Sequence, residues 1–126
     1  MPHLIIEHSA NVAELADIQS LVDQLHAAAL DNGLPAISVL RTRAVSRNRY
    51  RIADGGSSYA FVVITARIGP GRSAADKRAF LECLIDAAER ELAPAMKRLT
   101  IAFSAEIQEI DPEFRINRNH IETAFG

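Results

Sequence analysis

The stretch from Ser58 to Ser73, SYAFVVITARIGPGRS, decides how the rest of the chain is read. Tyr59 to Ile68 is dense in β-branched and aromatic residues, which suit the pleated surface of a sheet. Nearly every residue from Ala60 to Ile64 is apolar, so neither side of this strand is built for open water. Gly69, Pro70 and Gly71 then break the run as a turn. Ser73 with Asp76 resembles a capping box, with Asp in place of Glu, and opens a helix. The segment reads as strand, tight turn and helix.

The pattern extends in both directions. Downstream, Phe80, Leu81, Leu84, Ile85, Ala88 and Leu92 lie on one helical face, and Pro94 stands just past the end. Leu99 to Ile107 is the last long strand. Upstream, Leu4 to His8 reads as a short strand. Ile18, Leu21, Val22, Leu25, Ala28 and Ala29 recur at helical spacing, with Asp17 as N-cap and Asn32-Gly33 as the stop. A second strand is expected at about Ile37 to Arg43. The chain is thus read as one domain, residues 1–126, holding β-α-β twice at an offset of about 58 residues, supported by pattern and not identity. The units span about 2–45 and 58–108, and a polar C-terminal arm, 109–126, is expected to pack on a neighbour.

Each β-α-β unit calls for parallel strands with its helix on one face. The expected class is α+β: a four-stranded sheet with two helices on one face, plus short extra strands. The other sheet face is expected to be apolar and bare, and so to be covered in an oligomer.

Between the units, RTRAVSRNRYR holds Arg41, Arg43, Arg47, Arg49 and Arg51. If a strand runs through Arg47–Arg51, those three guanidinium groups line up. Such a row is either a solvated edge guarded by charge or an anion-binding wall.

Composition bounds the function. A chain of 126 residues with 48% hydrophobic and 24% charged residues suits one ordinary globular core. Its formal net charge of −2 gives no general pull toward nucleic acid or anionic membranes. Cys83 is the single cysteine, so no internal disulfide forms, and a reducing, cytoplasmic setting is expected. No apolar run has the length of a membrane span. His8, His26 and His120 show no metal-ligand spacing. Cys83 reads as a packed small hydrophobe, and Asn117 and Asn119 as capping or bridging residues of the arm. GPGRS lacks the Lys-Ser/Thr ending of a phosphate-binding loop.

The opening residues, MPHLIIEHSA, put Pro2 directly behind the initiator Met. Proline is tolerated at the first residue of a strand. Trimming of Met1 would also leave Pro2 as a free secondary amine, a group able to carry a proton.

MPHLIIEHSANV, LRTRA and ADGGSSYAFVVITARIGPGRSAADKRAF together resemble the 5-carboxymethyl-2-hydroxymuconate isomerase family of the tautomerase superfamily, named for 4-oxalocrotonate tautomerase. The likeness covers nearly the whole chain. It implies two fused β-α-β units, a homotrimer, and Pro2 as the general base and acid. It places the substrate-binding arginines at Arg41 and Arg72. Arg43 and His3 are weaker candidates for substrate contact. The first unit has Glu14 near the position matching Arg72, and the second begins at an internal peptide near Tyr59, so one site per chain is expected.

The implied reaction moves a proton from the 2-hydroxyl of a conjugated dienol to C5, within the breakdown of aromatic compounds. It needs a base that is neutral near pH 7 and returns its proton. An α-amino group titrates near 7.7–8.0. A secondary amine is more basic, and burial with nearby arginines lowers it. Guanidinium groups match planar carboxylates at every working pH. Arg72 also sits at a helix start, where free N–H groups favour anions. No metal or organic cofactor is implied, and the expected partner is a small anionic enol di- or tricarboxylate. Another enol carboxylate is the nearest rival substrate. A ferredoxin-like binding module is a more distant reading of the same element order.

Overall fold

The computed structural model describes residues 2–125. Its main elements are β1 (His3–Ser9), α1 (Val12–Leu15), α2 (Ile18–Asn32), β2 (Arg41–Arg47), β3 (Tyr59–Ile68), α3 (Ala74–Glu91) and β4 (Thr100–Glu109). The four strands form one sheet in the order β2-β1-β3-β4. β1 runs parallel to β2, β3 runs parallel to β4, and β1 meets β3 antiparallel at the centre. This is the expected α+β arrangement of two β-α-β units. It is not a ferredoxin-like split unit, because each parallel pair is adjacent, with no strand inserted between its members.

Local signals start and stop the helices. The Asp17 carboxylate accepts from the Ser20 amide at 3.2 Å, and the Ser73 hydroxyl accepts from the Asp76 amide at 3.1 Å. Gly33 closes α2 at φ 86°, a left-handed conformation that glycine adopts without strain. Alternation then builds the core. Leu4 and Ile6 of β1 and Ala60, Val62, Ile64 and Ala66 of β3 are fully buried. They pack in one cluster with Leu21, Leu25 and Ala29 of α2 and Phe80, Leu84 and Ala88 of α3. Both long helices therefore cover the same sheet face.

The structure corrects several expectations. β2 begins at Arg41, later than about Ile37, because the Val39 amide first closes a turn onto Ala36 and pairing starts only where Arg41 reaches β1. β2 ends at Arg47, so no strand aligns Arg47, Arg49 and Arg51. Beyond it, Ala53 (φ 51°) and Gly55 (φ 88°) turn the chain back toward β3. As the edge strand, β2 carries the charges that discourage edge pairing. The extra strands are absent among the described residues. Pro112–Phe114 and Glu122–Phe125 form 3-10 turns instead, the first capped by the Asp111 carboxylate.

The open sheet face is mixed, not apolar. Strand register places Ile5, Val45, Phe61, Val63 and Ala102 on it, but also His3, Glu7, Arg41, Arg43, Arg47, Arg67 and Glu106. The reason lies in β1 and β2, where His3, Glu7, Arg41, Arg43 and Arg47 share the outward face with Ile5 and Val45. The C-terminal arm touches its own chain through Asn119, whose side-chain amide donates to the Ser38 carbonyl at 2.9 Å.

Phe80 is fully buried, whereas Phe114 is 82% exposed. Phe80→Ala is expected to lose about 3–5 kcal/mol of stability in urea unfolding. Phe114→Ala in the isolated chain should stay within about 0.5 kcal/mol. Equal losses would contradict this placement of the core.

Candidate functional site

The candidate residues gather at one end of the sheet, and the topology dictates which end. β1 and β2 both start there, and antiparallel β3 finishes there. α2 ends and α3 begins at the same end, since each helix runs back against its strands.

Pro2 is buried immediately before β1. Its carbonyl accepts from the Arg41 amide at 3.3 Å, the first rung joining β1 to β2. Arg41 is partly buried, and its Nη1 is shut off from solvent with no hydrogen-bond partner among the described residues. An unpaired charged donor of this kind is expensive, so the position favours an anionic acceptor.

His3 lies opposite Arg41 on one side and Arg67 on the other. Arg43 is two residues along the regular strand β2 and shares their face. Its Nη1 donates to His3 Nδ1 at 3.1 Å, which leaves Nε2 as the protonated nitrogen of the neutral ring. Partial burial, then the charges of Arg43, Arg41 and Arg67, hold His3 below the ordinary histidine range. Alternation turns His3 away from the helix-covered layer in which Pro2 sits.

Arg72 stands in the turn before α3. Its Nη2 donates to the Leu34 carbonyl at 2.9 Å, tying the start of α3 to the end of α2. A cavity of about 200 Å³ opens beside it, lined by Asn32, Gly33, Leu34, Asp76 and Ala79. Arg72 therefore has a backbone anchor and donors to spare. Arg41 and Arg72 reach this end of the sheet from separate elements.

The remaining candidates are occupied elsewhere. His8 is buried, with Nδ1 2.9 Å from the Ser9 carbonyl. His26 Nδ1 lies 2.8 Å from the Thr42 hydroxyl. The Cys83 thiol donates to the Phe80 carbonyl at 3.1 Å. Burial pushes its pKa up, aided by Asp86, which disfavours a nucleophilic thiolate. Met1, whose removal would free Pro2, lies outside the described residues. Among those residues no group of three or more His, Cys, Asp or Glu is arranged to hold a metal. No helix among the described residues is long and apolar enough to cross a membrane.

Arg67 is the residue that sequence reading missed. Its place at the polar end of an otherwise apolar strand was visible, but its proximity to His3 depends on antiparallel register.

Comparison with known proteins gives the family of the chain. The model of the 5-carboxymethyl-2-hydroxymuconate isomerase family matches residues 2–125. The chain belongs to that family. It is 30% identical over 125 residues to the 5-carboxymethyl-2-hydroxymuconate Delta-isomerase of Escherichia coli, covering 99% of each chain. A crystal structure of a 5-carboxymethyl-2-hydroxymuconate isomerase from Deinococcus radiodurans R1 superposes with a TM-score of 0.90 at 28% identity, over 99% of this chain and 94% of that one. The fold alone is shared with a fused 4-OT asymmetric trimer, at TM-score 0.66 and 19% identity over 98% of both chains. Membership of the isomerase family makes this chain an enzyme, and it shares its fold with the fused 4-OT chain.

The lowered His3 pKa has a definite sign. The folded chain binds the His3 proton less readily than the unfolded chain does. Its contribution to stability is therefore fully present above the unfolded value of 6.5 and is lost as pH falls from there through the folded pKa. Imidazole NMR titration should find His3 below 6.5, and Arg43→Ala should move it upward. A downward or absent movement would show that Arg43 does not act on the ring.

Proposed function

We propose that this enzyme moves a proton from the 2-hydroxyl to C5 of 5-carboxymethyl-2-hydroxymuconate, in the homoprotocatechuate branch of aromatic degradation. Pro2, freed by loss of Met1, is the base that takes the proton and the acid that returns it. Arg41 and Arg72 bind carboxylates and stabilise the dienolate. The observation that carries this reading is the buried, unpaired Nη1 of Arg41 on the residue whose amide holds Pro2 in place.

The chemistry follows from these surroundings. Burial and neighbouring guanidinium charge both disfavour the protonated amine, so the nitrogen is available near neutral pH. A fixed guanidinium stabilises the developing negative charge without reorganising. The Leu34 carbonyl restricts Arg72 to one approach, which lowers the ordering needed when substrate binds. The cycle calls for no metal or organic cofactor: the proton leaves oxygen, rests on nitrogen and arrives at carbon.

The assembly is read as a homotrimer in the cytoplasm. The mixed sheet face, with Ile5, Phe61 and Val63 between charged margins, supports contact between copies more than contact with bulk water. We also read residues 1–126 as one domain that arose by duplication of a β-α-β unit, followed by the arm from 109.

The test is ultraviolet absorbance of 2-hydroxymuconate-type dienols with and without the carboxymethyl group. Wild-type enzyme should convert the carboxymethyl substrate. Pro2→Ala keeps a primary amine and should show reduced kcat with a shifted pH profile. Arg72→Ala should reduce kcat/KM by roughly 10²–10³-fold, as expected for loss of one fixed charge-stabilising group. Full activity of either variant, or active protein that begins uniformly with Met1, would overturn the assignment.

A further inference from the structure

The open face at the start of β1 carries more cationic groups than two carboxylate-binding arginines account for. Arg41, His3 and Arg67 form one row across β2, β1 and β3. Arg43 lies one step along β2 on the same face, bonded to His3 at 3.1 Å. Arg43 and Arg67 are both exposed. Neither has a carboxylate oxygen within 4.0 Å among the described residues.

The acids of this face are engaged or displaced. Glu7 is bound by Arg47 at 2.6 Å. Glu106 lies opposite Thr65 on the far strand, and Arg67 itself faces Gln108. The three guanidinium groups therefore add to one positive field, with no carboxylate oxygen in ion-pair contact with Arg43 or Arg67 among the described residues. His3 adds no further charge while it is neutral. It accepts from Arg43 and leaves its Nε2–H as a donor on the same face.

We propose that Arg43, Arg67 and His3 form a subsite for a third carboxylate, continuous with Arg41, that selects a tricarboxylate over a dicarboxylate. The inference rests on the proposed function and names which part of that substrate sets specificity: the carboxymethyl group. Arg43 and Arg67 stand on the strands either side of β1, with His3 between them, so a carboxylate over His3 has a guanidinium group on each side and a neutral N–H donor below it. A dicarboxylate held by Arg41 and Arg72 leaves this end of the row unused.

The experiment is a binding measurement that does not depend on turnover. Propane-1,2,3-tricarboxylate and glutarate are titrated calorimetrically into wild-type, Arg43→Ala and Arg67→Ala enzyme at low salt, with native mass recorded for each. Wild-type enzyme should prefer the triacid by about tenfold or more, the scale of one charged hydrogen bond. Each variant should bring that ratio toward one, and Arg67→Lys should restore part of it. A wild-type ratio near one, or a ratio unmoved in both alanine variants, overturns the subsite. So does a change of assembly mass with the ratio intact, which would pair these arginines with acids of another copy. Failure of dienol turnover with the triacid preference intact sinks the proposed reaction and leaves the subsite standing.

Discussion

The structure depends on the register of β1. This strand lies between β2 and β3, parallel to one and antiparallel to the other. One shift of a residue would turn Leu4 and Ile6 out of the core and bring His3 and Glu7 into it. Burial therefore fixes the strand, and the strand fixes Pro2. The proline cannot donate to the ladder, yet its carbonyl still accepts from Arg41. Core packing and placement of the candidate base are the same constraint seen at two ends of one strand.

That constraint also explains why so much positive charge is tolerated at the start of β1. Apolar residues on the covered face hold the sheet together, so the opposite face is free to carry groups that repel one another. Solvent screens Arg43 and Arg67, which are exposed, while Arg41 has an Nη1 atom closed off from water. The repulsion is partly relieved by keeping His3 neutral, and the Arg43 hydrogen bond reinforces that state. Affinity for anions is thus stored in a site that folding places but does not neutralise.

Much of this was legible in the sequence, for identifiable reasons. Asp17, Gly33 and Ser73 are short-range signals, and each acts within three residues of its helix. The density of β-branched and aromatic residues in Tyr59–Ile68 gave the strand its true bounds. The start of β2 was less legible, because Ile37 and Val39 are apolar and β-branched but lie in a turn before pairing begins. The face of the sheet was misjudged because Ala60–Ile64 is its most apolar part, while β1 and β2 place charge on the same surface. Pro2, Arg41 and Arg72 were singled out by family resemblance. Arg67 was not, since nothing local links residue 67 to residue 3. The buried donor of Arg41 and the Arg72–Leu34 bond are tertiary facts with no sequence period.

The two ends of the sheet show why backbone geometry alone does not make a site. At one end the Arg41 amide donates to the Pro2 carbonyl; at the other the Thr100 amide donates to the Ser58 carbonyl at 2.9 Å. The rung is the same in each parallel pair. The chemistry is not. Ser58 lies within the chain, so no amine is available there, and Thr100 offers a hydroxyl where Arg41 offers a guanidinium. The Asn11 side-chain amide bonds the Tyr59 carbonyl at 2.8 Å, and its oxygen is an acceptor, a poor neighbour for a carboxylate. Equivalent hydrogen bonds thus support strand pairing at both ends, but only the end with Pro2 combines a possible terminal amine with Arg41, Arg67 and Arg72. The difference comes from side chains and chain position laid on a repeated backbone.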